Sequence, residues 1–225
     1  MIRLGIIGEG ISEETFAREM LCPHLTRYNI FAYSRQIVTS RRVSLPYSKG
    51  GIHSYDQVKK DVLKSLREDA TCIITTMLDL YALPTGFPEY EKANTLSNPY
   101  ERIELLEKSF AADISHVRFI PYIQLHEFEA LFFTNIKISD EILSLNSSSQ
   151  LSALEEIVNK YSNPELINKG PQTAPSKRIL QLYPQYQKSV DSIRILQRIE
   201  LHNIRLKCRH FHEWLSKLES LTSSQ

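Results

Sequence analysis

The stretch Ile2-Arg3-Leu4-Gly5-Ile6-Ile7-Gly8-Glu9-Gly10 limits the choice of fold more than any other part of the chain. An apolar run closed by glycines, opening directly into Ser12-Glu13-Glu14-Thr15-Phe16, reads as a parallel strand buried on both faces that hands over to its crossover helix. A chain that starts this way is expected to be α/β. Glu9 stands at the hinge, and a carboxylate at the carboxyl end of a central strand faces the crevice where open α/β sheets bind ligands.

Ser12 is expected to cap the helix that carries Phe16, Ala17, Met20, Leu21 and Leu25, with Pro23 kinking or ending it. Glu13 and Glu14 fall in its first turn, where the positive end of the helix dipole accounts for them without a ligand. A second strand is expected at Ile30-Phe31-Ala32-Tyr33 or at Gln36-Ile37-Val38-Thr39. Beyond it Arg41, Arg42 and Lys49 flank Gly50-Gly51, a basic loop suited to a phosphate backbone. That signal is local by necessity. Lys and Arg number 27 against 26 Asp and Glu, so the net charge of +1 supplies no global field toward a polyanion.

A helix is expected from Tyr55 to about Arg67, with Val58, Val62, Leu63 and Leu66 on its buried side. The next strand, Thr71-Cys72-Ile73-Ile74-Thr75-Thr76-Met77-Leu78, again suits a position covered on both faces and runs into Asp79. Parallel neighbours bring their carboxyl ends to one edge, so Glu9 and Asp79 are expected to converge. Two converging carboxylates repel unless a cation separates them. Mg²⁺, held by one or two carboxylates plus substrate phosphate, is the usual resolution, with Mn²⁺ as the alternative. Asp79 read as the cap of the following turn is the competing explanation.

Pro99 can open a helix carrying Ile103, Leu105, Leu106 and Phe110. The fourth strand, Val117 to Leu125, contains Pro121, which marks an edge position or a bulge. It enters His126-Glu127-Phe128-Glu129-Ala130-Leu131-Phe132-Phe133, where polar side chains interrupt an apolar segment. Buried charges need partners, and a metal is the simplest one. In extended backbone Glu127 and Glu129 share a face; in helical backbone they diverge. His126 lacks a second histidine four residues away, so zinc hydrolysis of the zincin kind is disfavoured, and it reads as a core or cap histidine.

From Asn135 to Asn163 the chain turns polar, with Leu151, Leu154, Ile157 and Val158 forming a short amphipathic helix. The run Asn168 to Arg178 offers a turn and a helix start with Lys177 and Arg178 in the first turn. Cations there oppose the helix dipole and want an anion, which makes Lys177 a candidate phosphate contact. A long helix from about Asp191 to Leu221 carries Ile204, Cys208, Phe211, Leu215 and Leu218 as its apolar stripe. His202, His210 and His212, with Arg205, Lys207 and Arg209, are expected on a basic face off that stripe.

Cys22, Cys72 and Cys208 are scattered and form no CxxC pair, which argues against a disulfide framework or a zinc site. No apolar stretch approaches the roughly 18–20 residues of a membrane span, and the amino terminus lacks a signal-peptide pattern, so a cytoplasmic location is expected. The core is expected over 1–134, with a helical insertion and carboxyl-terminal helices over 135–225 packed on it as one domain.

Glu9-Gly10-x-Ser12-Glu13-x-x-Phe16, Met77-Leu78-Asp79-Leu80-Tyr81-x-Leu83-Pro84-x-x-Phe87-Pro88, Pro121 to Leu131, and Thr173-Ala174-Pro175-Ser176-Lys177-Arg178 together resemble a prokaryotic Toprim-like family, long known only as a domain of unknown function and often encoded beside ATPase genes. The resemblance implies a three-layer α/β fold with a central, mostly parallel sheet flanked by helices, and a helical carboxyl-terminal segment. It further implies a relation to the Toprim domains of the overcoming-lysogenisation-defect nucleases. It also implies Mg²⁺ held by Glu9 and Asp79, matching the glutamate and first aspartate of the Toprim pattern. Tyr81 stands where that pattern has its second aspartate, and Glu127 or Glu129 is the expected replacement. The implied activity is phosphodiester hydrolysis of DNA or RNA, with Glu9 assisting proton transfer and Lys177 offsetting transition-state charge. Arg41, Arg42, Lys49 and Arg178 are the expected nucleic-acid contacts. The implied partner is an ABC- or SMC-like ATPase encoded nearby, in defence against phage, with self-association left open. The alternative is a degenerate, non-catalytic Toprim module that senses or docks on such an ATPase.

Overall fold

The computed structural model describes residues 1–37, 52, 54–168 and 170–222. The chain divides into two compact units, Met1–Ile123 with Leu221–Gln225, and Gln124–Ser220.

The first unit is built on strand β1 (Ile2–Gly8), which is followed by helices α1 (Ile11–Phe16) and α2 (Cys22–Thr26). A π-helical stretch, Ala17–Leu21, joins these helices. Pro23 has no N–H for the regular ladder, and the wider turn before it absorbs the missing bond without ending the helical run. Strand β2 (Ile30–Gln36) is the first of the two expected stretches; Val38 and Thr39 of the other lie outside the described residues. Next come α3 (Tyr55–Glu68), β3 (Cys72–Asp79), α4 (Tyr90–Asn94), α5 (Pro99–Ile114) and β4 (Phe119–Ile120). The sheet order is β2-β1-β3-β4 with parallel neighbours, and a short strand, β5 (Ile123–Gln124), also pairs with β3. Helices α1 and α2 pack by β1 and β2, α3 packs on β3, and α5 packs on β4.

Glycine decides how close the layers come. A Cβ on Gly8 would lie 2.9 Å from the backbone nitrogen of Glu14, so only glycine lets the end of β1 abut the first turn of α1. Under β4, Tyr55, Phe87, Phe110 and Phe119 meet edge to face with centroids 4.8–5.8 Å apart. The Arg118 guanidinium donates to the carbonyls of Leu66, Asp69 and Cys72, tying the end of α3 to the start of β3.

The expected continuous strand from Val117 to Leu125 is broken. Pro121 cannot donate to the ladder, and β4 stops before it. Thr76 repairs the gap: its hydroxyl donates to the Tyr122 carbonyl and accepts from the Tyr122 N–H, each at 3.0 Å.

The second unit is helical. It contains a 3₁₀ segment (Phe128–Thr134) and helices α6 (Ile136–Leu143), α7 (Leu151–Val158), α8 (Pro175–Leu182), α9 (Lys188–Lys207) and α10 (Arg209–Glu219). Phe128, Leu131, Phe132, Leu154, Ile179, Ile195, Leu196, Ile199 and Phe211 are buried in it. The single carboxyl-terminal helix expected from the apolar stripe is two helices, and the first is kinked. Glu200 leaves helical geometry at φ 67°, with the Asn203 amide donating to the Ile199 carbonyl at 2.6 Å. The chain breaks again at Cys208. There the fully buried Glu165 carboxylate accepts the N–H groups of His210 and Phe211 at 3.0 and 2.9 Å, capping α10. Cys208 keeps its place on the buried stripe, and burial pushes its thiol well above the ordinary range. His210 is buried and does not join the expected basic face, because the chain must turn inward to reach Glu165.

Candidate functional site

The two strand-end acids of the first unit come together. Gly8 of β1 sits opposite Met77 of β3, so the residues that follow each emerge at the same edge of the sheet. The Glu9 N–H donates to the Met77 carbonyl at 3.1 Å, and the Glu9 Oε2 accepts the Asp79 N–H at 3.1 Å. Asp79 is buried and Glu9 half-buried. The parallel register, not sequence proximity, brings these acids from 70 residues apart into contact.

The support around Glu9 differs in one detail from the expected cap. Gly10, not Ser12, is the N-cap of α1, and the buried Glu13 carboxylate reaches back to the Gly10 N–H at 3.0 Å. This is the reciprocal half of a capping box, readable in the sequence as Gly10-x-x-Glu13. Glu14 accepts from Ser34 of β2 at 2.9 Å and pairs with Arg18 at 3.2 Å. Both acids of this turn are therefore structural.

After Asp79 the chain turns through a 3₁₀ segment, Leu80–Ala82. Leu80 points into the core and Tyr81 is 39% exposed. Ile11, the first residue of α1, is 57% exposed.

In the second unit, Glu127 is extended (φ −146°, ψ 155°) and the 3₁₀ segment starts after it. The two glutamates accordingly diverge. Glu127 Oε2 accepts the Ser176 N–H at 2.9 Å, in the first turn of α8. That carboxylate satisfies one of the N–H groups that the start of α8 leaves open. Glu129 is 1% exposed and lies 3.3 Å from the Lys188 ammonium, with the Tyr186 hydroxyl donating to it at 3.3 Å. Burial raises the Tyr186 phenol far above its ordinary range, and the Glu129 charge adds to the rise. His126 is buried at φ 64°, with Nδ1 3.3 Å from the Asn168 amide nitrogen. Lys177 is exposed at the start of α8. The Arg178 Nε donates to the Thr173 carbonyl at 2.7 Å, and its guanidinium lies 5.8 Å from the Tyr161 ring centroid. Arg41, Arg42 and Lys49 lie outside the described residues.

Among the described residues no group of three or more His, Cys, Asp and Glu side chains is arranged to hold a metal ion. Mg²⁺ takes one or two carboxylates from a protein when waters and substrate phosphate supply the rest, and Glu9 and Asp79 stand at one sheet edge with the Glu9 carboxylate on the Asp79 N–H. Among the described residues no helix is long and apolar enough to cross a membrane.

Two structural acids escape a reading of the sequence. Glu165 is one. Asp140 is the other: it accepts from Ser149 Oγ, the Gln150 N–H and Tyr183 Oη at 2.6, 2.7 and 2.5 Å. Burial works to raise the Asp140 carboxyl, but the three donors prevail and hold it below the usual range. Glu165 lies in a short 3₁₀ turn with no periodic pattern to flag it, and Asp140 lies in α6 among polar positions that the helical pattern does not tell apart.

A mostly parallel sheet flanked by helices, with a helical carboxyl-terminal segment, is the fold of a Toprim-like α/β protein. Residues 8–219 match the family described as "Domain of unknown function (DUF4276)", and the chain belongs to that family. No curated protein matches the sequence. Among solved structures, the C-terminal region of the OLD protein of Xanthomonas campestris pv. campestris is similar at 16% identity, with a TM-score of 0.52 over 99% of this chain and 95% of that one. A second structure of the same region aligns at 13% identity and a TM-score of 0.51, over 100% of this chain and 98% of that one. The likeness is one of fold.

Proposed function

We propose that the chain is a Mg²⁺-dependent phosphodiesterase acting on nucleic acid. The observation that carries this reading is the meeting of Glu9 and Asp79, seated by strand register at the carboxyl edge of the sheet. Glu9 and Asp79 would hold the ion, with Mn²⁺ able to replace it. Once bound, it would supply an activated water and a counter-charge for the leaving oxygen. Glu9 is also the carboxylate that would accept a proton from the attacking water. Lys177, exposed at the start of α8, offers a contact to a backbone phosphate of the nucleic acid. Glu127 and Glu129 lie apart from each other on separate partners, and the proposed ligand set is Glu9 and Asp79.

The effector role in defence against phage, beside an ABC- or SMC-like ATPase, extends this proposal and rests on the motif resemblance. A second reading, a non-catalytic module docking on that ATPase, is favoured by Tyr81, which takes the place of a carboxylate two residues after Asp79.

The test is direct. The purified chain is incubated with plasmid, single-stranded DNA and total tRNA in Mg²⁺ or EDTA, with and without the ATPase. Cleavage that requires Mg²⁺ and vanishes in Glu9→Gln supports hydrolysis. Cleavage undiminished in Glu9→Gln overturns the site.

A further inference from the structure

We infer that Tyr81 is a stacking platform for an unpaired nucleobase, which makes the substrate single-stranded nucleic acid or a duplex with an extruded base. The inference rests on the hydrolase reading above and gives its substrate class. Tyr81 lies two residues beyond Asp79, and Ile11 lies two residues beyond Glu9; the two acids are joined by a hydrogen bond. Both side chains leave apolar surface in water, at 39% and 57% exposure, while their neighbours Leu80, Leu83 and Phe87 are buried. The turn that buries Leu80 is the same turn that presents Tyr81.

The chemistry of the side chain decides its use. Mg²⁺ takes carboxylates, carbonyls and waters, and a phenol is a poor substitute for the aspartate of the Toprim pattern. An aromatic side chain exposed beside a phosphate-handling site can instead stack on a base, and such stacking tolerates any sequence. Bases inside a duplex are stacked on each other and cannot present a face, so the ring selects for an unpaired one. Ile11 adds apolar contact without a plane of its own.

The probe is an oligonucleotide carrying 2-aminopurine, single-stranded or annealed to its complement, titrated into the full-length chain in Ca²⁺ to limit turnover. The expected result is quenching of the single strand with weak response from the duplex. Tyr81→Ala should weaken single-strand binding by about tenfold. Tyr81→Phe should bind like the parent, because the ring and not the hydroxyl is used, and Ile11→Ala should lose less than Tyr81→Ala. Equal quenching by Tyr81→Ala, equal response from the duplex, or no binding of either oligonucleotide overturns the inference. Cleavage in Mg²⁺ separates this outcome from the parent reading. Ring-dependent quenching without cleavage sinks hydrolysis alone, whereas Mg²⁺-dependent cleavage of duplex by Tyr81→Ala at the parent rate sinks the platform alone.

Discussion

Two pairs of acids distinguish the two units. Glu9 and Asp79, 70 residues apart, meet because parallel strands end at one edge. Glu127 and Glu129, two residues apart, serve separate ends: one caps α8 and the other pairs with Lys188. Nearness in sequence united neither pair. Strand register brings the first pair to one edge, and a change from extended to 3₁₀ backbone sends the second to separate partners.

Substitution can break this contrast most sharply in activity. Asp79→Asn should lower Mg²⁺-dependent cleavage at least about a hundredfold with the circular dichroism spectrum unchanged, since it removes a ligand charge and keeps the shape. Glu129→Gln should leave cleavage per folded molecule near the parent value. If the two variants lose activity equally, the division between ligand acids and anchor acids fails.

Stability should show the reverse order. Glu165→Ala strips the cap from α10 and leaves two buried N–H groups unsatisfied, at a cost of about 3 kcal/mol in urea unfolding. Glu129→Gln should cost less, about 1–2 kcal/mol, because Lys188 is 44% exposed and water can take over its charge. An Asp79→Asn variant less stable than Glu165→Ala would invert the assignment.

The smallest effect is one of pH. The native Asp140 carboxyl is held below its ordinary range, so it adds stability above the unfolded value of about 4 and loses it as pH falls through the native value. Asp140→Asn should therefore lie below the parent in stability at neutral pH and approach it under acid. A gap between them that stays constant with pH would contradict the role of the three hydrogen bonds.

Much of the first unit was legible because its signals are continuous. The β1 run, the β3 run into Asp79 and the Pro99 helix start are written in periodicity and flanking residues, and each element forms where these place it. The second unit was harder to read. A 3.6-residue stripe from Ile204 to Leu218 cannot reveal a break at Cys208 whose cause, Glu165, lies 45 residues from His210. Likewise the sequence leaves Glu127 and Glu129 open between two backbones, and the partners that settle them, Ser176 and Lys188, are 49 and 59 residues away. The site was legible as far as its strand ends and no further.

The central claim is that Glu9 and Asp79 form a cation site, and Mg²⁺ titration followed by thermal melting tests it without reference to substrate. A ligand that binds only the folded state raises the melting temperature by mass action. The parent and Glu129→Gln should both melt at rising temperatures as Mg²⁺ increases, from different starting points, while Asp79→Asn should not respond. A flat response in the parent, or an undiminished rise in Asp79→Asn, would contradict the claim.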